Sequence, residues 1–184
     1  MTAHRSEFTL KNGETLIIRK PEEADAERLT QYLNLVDTQT VFLAREPGEG
    51  NYTAEYEREV IRNKAADPDC HFVVAEYQGH IAAMAEAQIV RKRRRFYHRA
   101  TMGISVDKTY WELGIGGKLM GELIAWCRLR GFEQLELDVV KGNERAIKLY
   151  ESFGFRRTGT VPHAFKYADG TYADEITMVL ELTK

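Results

Sequence analysis

The sequence predicts an α/β fold: a mixed, largely antiparallel sheet with helices on both faces. Three observations predict it. Residues 106–155 read as strand end, glycine turn, helix, strand and helix in succession. Asn12-Gly13 and Asp169-Gly170 each sit between two strand-like runs, and both dipeptides favour tight hairpin turns. The length of 184 residues, with 43% hydrophobic and 29% charged residues, suits one domain over 1–184 with its own core.

The elements follow in order. Residues 8–10 and 15–19 read as the two arms of the first hairpin. Pro21 suits a helix start, with Glu22, Glu23 and Asp25 near its positive end. Ala26, Leu29, Leu33 and Val36 then keep helical spacing. Residues 37–51 hold Pro47, Gly48 and Gly50 and read as a loop. Thr53 caps a second helix, with Tyr56, Val60 and Ile61 on one face. Residues 71–77 and 81–90 are strands joined by the turn at Gly79. Ala82, Ala83, Ala85 and Ala87 in the second of them predict close approach by another layer. Residues 91–95 are five consecutive cations and read as a solvated hairpin tip. Residues 98–106 lead as a strand into the glycine turn. Two further strands close the chain over 156–184, around Asp169-Gly170.

The glycine turn is Leu113-Gly114-Ile115-Gly116-Gly117. The helix after it carries Leu119, Leu123, Ile124 and Cys127 on one face. Glycines that open a helix leave backbone N–H groups unobstructed, and the helix N-terminus adds about half a positive charge. Together these favour an anion, usually a phosphate. The same residues also serve as a plain strand-to-helix connection. No Gly-Lys-Ser/Thr follows, so the turn is not a P-loop. Gly114 and Gly116 fit the dinucleotide fingerprint, and Asp138 ends the next strand, but Leu119 stands where its third glycine belongs. Downstream, Asn143 caps a helix that Gly154 stops.

The order V-x7-G-I-G-x2-L-M from Val106, then Gly131-Phe132, then N-x-R-A-I-x-L-Y-x-x-F-G-F from Asn143 to Phe155 resembles the GNAT N-acetyltransferase superfamily. The likeness is close over 106–155 and looser elsewhere. The ending D-G-x-Y-x-D-E-x-x-M is similar to acetyltransferases that act on small amines and to ones that act on protein N-termini. The resemblance implies a V-shaped split between central strands that takes acetyl-CoA as cosubstrate, with no metal. It implies that the backbone around Leu113, Gly114, Ile115, Gly116 and Gly117, flanked by Glu112 and Lys118, holds the diphosphate. It implies that the strand at Ile104, Ser105 and Val106 meets the thioester, with the N–H of Ser105 or Val106 as its oxyanion donor. Asn143 then contacts the pantetheine arm or holds the splayed strand, Ala146 belongs to the cofactor-binding set, and Tyr150 stands where the superfamily keeps its general acid.

The general base is less defined. Relatives often carry a glutamate where this chain has Thr101, between Ala100 and Met102. Glu86 and His98 are the nearest candidates; histidine changes charge near neutral pH. Both also have ordinary structural readings, and a water chain would serve as well. Trp111-Glu112 departs from the usual Arg/Gln-Gly, and Glu112 brings a negative side chain to the phosphate turn.

A formal charge of −2 predicts no general attraction to nucleic acid or to acidic membranes. No apolar run approaches the length of a membrane span, and residues 1–7 lack an apolar signal core. Cys70 and Cys127 have no metal spacing. These features predict a cytoplasmic protein with reduced thiols. The expected activity is acetylation of a small primary amine: an amino acid, a polyamine or an amine antibiotic. The alternatives are acetylation of a protein N-terminus and a non-catalytic acetyl-CoA-binding module. The superfamily often pairs, which implies a homodimer. A nucleic-acid role for residues 91–95 ranks behind all of these.

Overall fold

The computed structural model describes residues 5–50 and 52–182. The polar start at 1–4, Asn51 at the end of the expected loop, and residues 183–184 of the last expected strand lie outside the described residues. The strands are β1 (Arg5–Thr9), β2 (Thr15–Arg19), β3 (Cys70–Tyr77), β4 (His80–Ile89), β5 (Arg99–Val106), β6 (Gln134–Val140), β7 (Arg156–Lys166) and β8 (Tyr172–Glu181). The helices are α1 (Ala26–Gln39), α2 (Ala54–Ala66), α3 (Ile115–Leu129) and α4 (Glu144–Ser152). All eight strands form one sheet in the order β1-β2-β3-β4-β5-β6-β8-β7. Every neighbouring pair is antiparallel except β5 with β6. The Asn12-Gly13 and Asp169-Gly170 turns do form hairpins, with positive φ at both glycines.

The parallel pair is where the sheet opens. β5 and β6 are registered only from Arg99↔Gln134 to Thr101↔Glu136. Beyond that, β5 stays with β4 through Ala83↔Val106, and β6 stays with β8 through Val140↔Glu175. Each strand is held by its outer neighbour, so the inner edges diverge. This is the V-shaped split.

Alternation along the strands divides the side chains between two layers. On one face α3 and α4 cover Ala83, Ala85, Ala87, Met102, Leu137 and Met178, using Leu119, Leu123, Cys127 and Ile147. The three alanines let α3 lie close to β4. On the other face α1 and α2 cover Phe72, Val74 and Ile81 with Leu29, Leu33, Val36 and Ile61. No described helix is long and apolar enough to cross a membrane.

Two details differ from the sequence expectation. The first helix opens with a 3-10 turn at Glu23–Asp25 and runs on to Gln39, into the expected loop. On α2, Thr53 does cap the helix by accepting from the Tyr56 N–H. Tyr56 itself is 56% exposed, whereas Glu57 is 4% exposed. The inward stripe is Ala54, Glu57 and Ile61, and Tyr56 lies one residue, about 100°, off it.

A half-buried ion cluster around buried Asp25 ties the first helix to the sheet. The Arg19 guanidinium donates to both Asp25 oxygens at 2.7 and 2.8 Å and to Glu76 at 2.8 Å. Arg28 and the Glu22 N–H also donate to Asp25. Burial pushes the Asp25 carboxyl up, but these donors outweigh it and hold it below its ordinary value. A carboxyl lowered in the folded state stabilises the fold above its unfolded pKa, and that contribution is lost as pH falls through the lowered folded value. Stability should therefore fall on acidification below about pH 4, and Asp25→Asn should flatten that limb in urea titrations at stepped pH. Leu119, on the inner face of α3, is fully buried. Leu119→Ala should cost about 2–5 kcal/mol in the same titration at pH 7.

Candidate active site

The split opens into a cleft of about 520 Å³ lined from both layers and from both strand ends. Its floor is β5. Because Asp107 N–H donates to Ala82 and Val90 N–H to Arg99, the odd-numbered residues of β5 bond to β4. The backbone groups of Met102, Ile104 and Val106 therefore point across the split, where β6 has departed. The Val106 carbonyl accepts from Trp111 Nε1 at 3.0 Å. The Val106 N–H faces the opening. The Ser105 N–H faces β4 and is not an oxyanion donor, which corrects one of the two expected positions. The Ser105 hydroxyl instead meets Tyr32 Oη at 2.8 Å on the α1 side.

The glycine turn forms one wall. Glu112 and Gly114 both have positive φ, +68° and +89°. They turn the chain so that α3 begins at Ile115 with its first N–H groups aimed at the cleft. A Cβ on Gly117 would meet nothing within 4 Å, whereas one on Gly116 would press on Leu149 Cδ2 at 3.2 Å. Gly117 thus borders open space and Gly116 allows α3 and α4 to pack. The residues present fit a bound diphosphate: exposed amides at a helix N-terminus, open space beside them, and nearby cations. The Glu112 side chain is 87% exposed and lies 3.8 Å from Arg145. Arg145 also stacks on Trp111, 4.3 Å from the ring centre. The negative charge is therefore partly answered and turned to solvent.

The opposite wall comes from α4. Asn143 Oδ1 accepts from the Ala146 N–H at 3.3 Å, capping the helix. Tyr150 sits one turn further on, 9% exposed, with its ring 6.0 Å from Phe155. Its hydroxyl has no hydrogen-bond partner among the described residues, and burial pushes it up to about 12.

The structure brings together Ile104, Ser105, Val106, Glu112, Gly114, Ile115, Gly116, Gly117, Asn143, Ala146 and Tyr150 around the cleft. Leu113 turns inward against the core. Lys118 turns away, its ammonium 5.3 Å from the Phe8 ring centre. Neither base candidate reaches the cleft. Glu86 lies on the α2 face, where it contacts Lys64 Nζ and accepts from Cys70 at 3.5 Å. His98 is exposed at the far end of β5, roughly 25 Å along the strand from Val106. Its carbonyl ties down the start of β6 through Glu133 and Gln134. Glu86 pairs with Gly103 in the open stretch of β5 but points to the α2 face, and His98 stands at the other end of that strand.

Several cleft residues were not read from the sequence. Lys11, in the first hairpin turn, comes within 3.9 Å of a Cβ built on Gly114. Phe42 and Leu43 arrive from the 40–50 loop, and Phe165 from β7. Asp138, read from the sequence only against the dinucleotide fingerprint, and Glu175 lie diagonally on one face of β6 and β8. Asp138 accepts from the Thr177 hydroxyl at 2.7 Å. Burial, then the charge of Asp138, raises the Glu175 carboxyl above its ordinary range. The D-E pair before Met178 was the available signal for Glu175, but its facing needed the β6–β8 register.

Comparison with known proteins agrees with this geometry. The acetyltransferase (GNAT) family profile matches residues 35–155. An L-amino acid N-acetyltransferase of Escherichia coli K12 is 39% identical over 93 residues, 48% of this chain and 55% of that protein. The match thus spans little more than half of that relative. The [ribosomal protein bS18]-alanine N-acetyltransferase of the same strain is 33% identical over 105 residues, 57% of this chain and 67% of that protein. Among solved structures, a GNAT-family acetyltransferase of Streptococcus pneumoniae superposes with a TM-score of 0.85 at 28% identity, covering 90% of this chain and 99% of that one. With its split sheet, its glycine turn and a profile match over 35–155, this chain belongs to the acetyltransferase (GNAT) family.

Proposed function

We propose that this chain is an acetyl-CoA-dependent N-acetyltransferase for a small primary amine, acting by direct attack with both substrates bound. The observation that carries this reading is the divergence of β5 from β6 beside the amides of α3. When bound, acetyl-CoA supplies a thioester with an electrophilic acetyl carbon. The amides of Gly114, Ile115, Gly116 and Gly117, with Lys11, hold its diphosphate. The Val106 N–H donates to the carbonyl oxygen as it gains negative charge. Asn143 and Ala146 border the pantetheine arm.

Proton handling follows from burial and charge. Glu175 is the base that takes the proton from the amine: its carboxyl is held up, and its neighbour Asp138 keeps a fixed hydrogen bond to Thr177. Tyr150 stays protonated at every working pH, so its hydroxyl always has a hydrogen to offer the departing sulfur. Burial pushes the phenol up to about 12, which disfavours giving its proton up outright. The main contribution of Tyr150 is therefore a charge-assisted hydrogen bond to the thiolate.

A small acceptor is supported by closure of the α1 side. The Ala168 N–H, at the tip between β7 and β8, donates to Glu46 Oε1 at 3.2 Å and so links two segments whose neighbours Phe165 and Leu43 line the cleft. A second reading, acetylation of a protein N-terminus, is favoured by the likeness to the ribosomal-protein enzyme. It requires that bridge to open.

The test is release of free coenzyme A from acetyl-CoA, read with a thiol reagent, against pooled small amines and short peptides. Release with the amines supports the first reading, and release with peptides alone supports the second. Tyr150→Phe should lower kcat roughly 100-fold while acetyl-CoA still binds; unchanged turnover would remove Tyr150 from the mechanism. For Glu175, kcat/KM should rise with pH through a limb above the ordinary carboxylate value of about 4.3, because the base acts only when deprotonated. Glu175→Gln should abolish that limb and leave any limb due to the amine itself.

A further inference from the structure

The acceptor side of the cleft has an uneven chemical lining. Val36, Phe42, Leu43 and Phe165 make an apolar wall, and Asp138 with Glu175 make an acidic corner. The cations that line the cleft are Lys11 and Arg145, and both lie at the glycine turn. Arg45, on the acceptor loop, is committed elsewhere: it donates to both oxygens of buried Asp37 at 3.3 and 3.0 Å and does not line the cleft. Among the described residues that line the acceptor side, none is cationic.

This asymmetry selects among amines. An amine that delivers its proton to Glu175 stands in the acidic corner. An α-amino acid would bring its own carboxylate there, one carbon from that amine, beside two carboxylates and without a counter-charge. Like charges placed together in a partly dry site repel strongly. A polyamine would satisfy the acids but would press further ammonium groups onto four apolar side chains, which cannot replace their water. An aromatic or branched apolar body fills that wall instead.

Resting on the transferase reading above, we propose that the acceptor is a primary amine on an aromatic or branched apolar body with no α-carboxylate, selected by the Asp138–Glu175 corner facing Val36, Phe42, Leu43 and Phe165. The recognised class is thus an arylalkylamine or a comparable alkylamine.

The test compares acceptors that differ only at the α-carbon, at saturating acetyl-CoA. Phenethylamine and L-phenylalaninamide should each exceed L-phenylalanine in kcat/KM by at least about tenfold. Phenethylamine should also exceed spermidine and the tripeptide Phe-Ala-Ala. In Leu43→Arg, which adds a cation to the apolar wall, the ratio of L-phenylalanine to phenethylamine should rise by about tenfold. An overturning result is L-phenylalanine matching or exceeding its amide, or spermidine or the tripeptide proving the best acceptor. Those results overturn the acceptor class alone and leave the transferase standing. Silence with every acceptor overturns the transferase reading itself, and the acceptor class with it.

Discussion

The divergence of two parallel strands is the constraint on which the rest depends. A sheet satisfies its backbone groups by pairing, and β5 and β6 give up that pairing after three registered positions. What allows the loss is the outer hold on each strand: β4 keeps β5, and β8 keeps β6, to their ends. Even-numbered N–H and C=O groups of β5 are then left facing a cleft rather than a neighbour. Trp111 takes up the Val106 carbonyl, and the Val106 N–H stays available. The glycine turn, the α3 N-terminus and the α4 wall are all positioned by that one opening.

Electrostatics divides the cleft into two ends. Amides at the start of α3, Lys11 and Arg145 make the turn end positive. Asp138 and Glu175 make the acceptor end negative. On the proposed reading, an anionic cosubstrate and an amine would be drawn to opposite ends and meet at the open edge of β5. Glu112, a negative residue at the positive end, is turned to solvent beside Arg145. Its backbone is left-handed, with φ +68°.

Much of this was legible in the sequence, and the limit is physical. Local signals carried far: Asn12-Gly13, Thr53, Gly114, Asn143 and Gly154 each act through their own backbone or cap, and each stands where the sequence placed it. So did the helical face of Leu119, Leu123 and Cys127. What depended on pairing between distant strands was not legible. Glu86 sits on β4 opposite Gly103 of β5, yet strand alternation turns it to α2 and Lys64. His98 falls in the turn just before β5, at the end away from the opening. Glu175 enters the cleft only because β8 crosses to the far side of β6, a placement set by a 39-residue separation such as that between Asp138 and Thr177. Lys11 reaches Gly114 through a hairpin fold-back of the same long-range kind.

The most direct measurement is a backbone amide NMR titration with acetyl-CoA. The account predicts saturable shifts concentrated at Ile104, Val106, Ile115, Gly116 and Gly117, with smaller ones near Asn143 and Tyr150. The Ser105 amide, bonded to β4, should keep its slow hydrogen exchange with or without ligand. Absence of shifts at the α3 amides, or shifts centred on the 91–95 tip, would contradict the claim that the β5–β6 opening is the acetyl-CoA site.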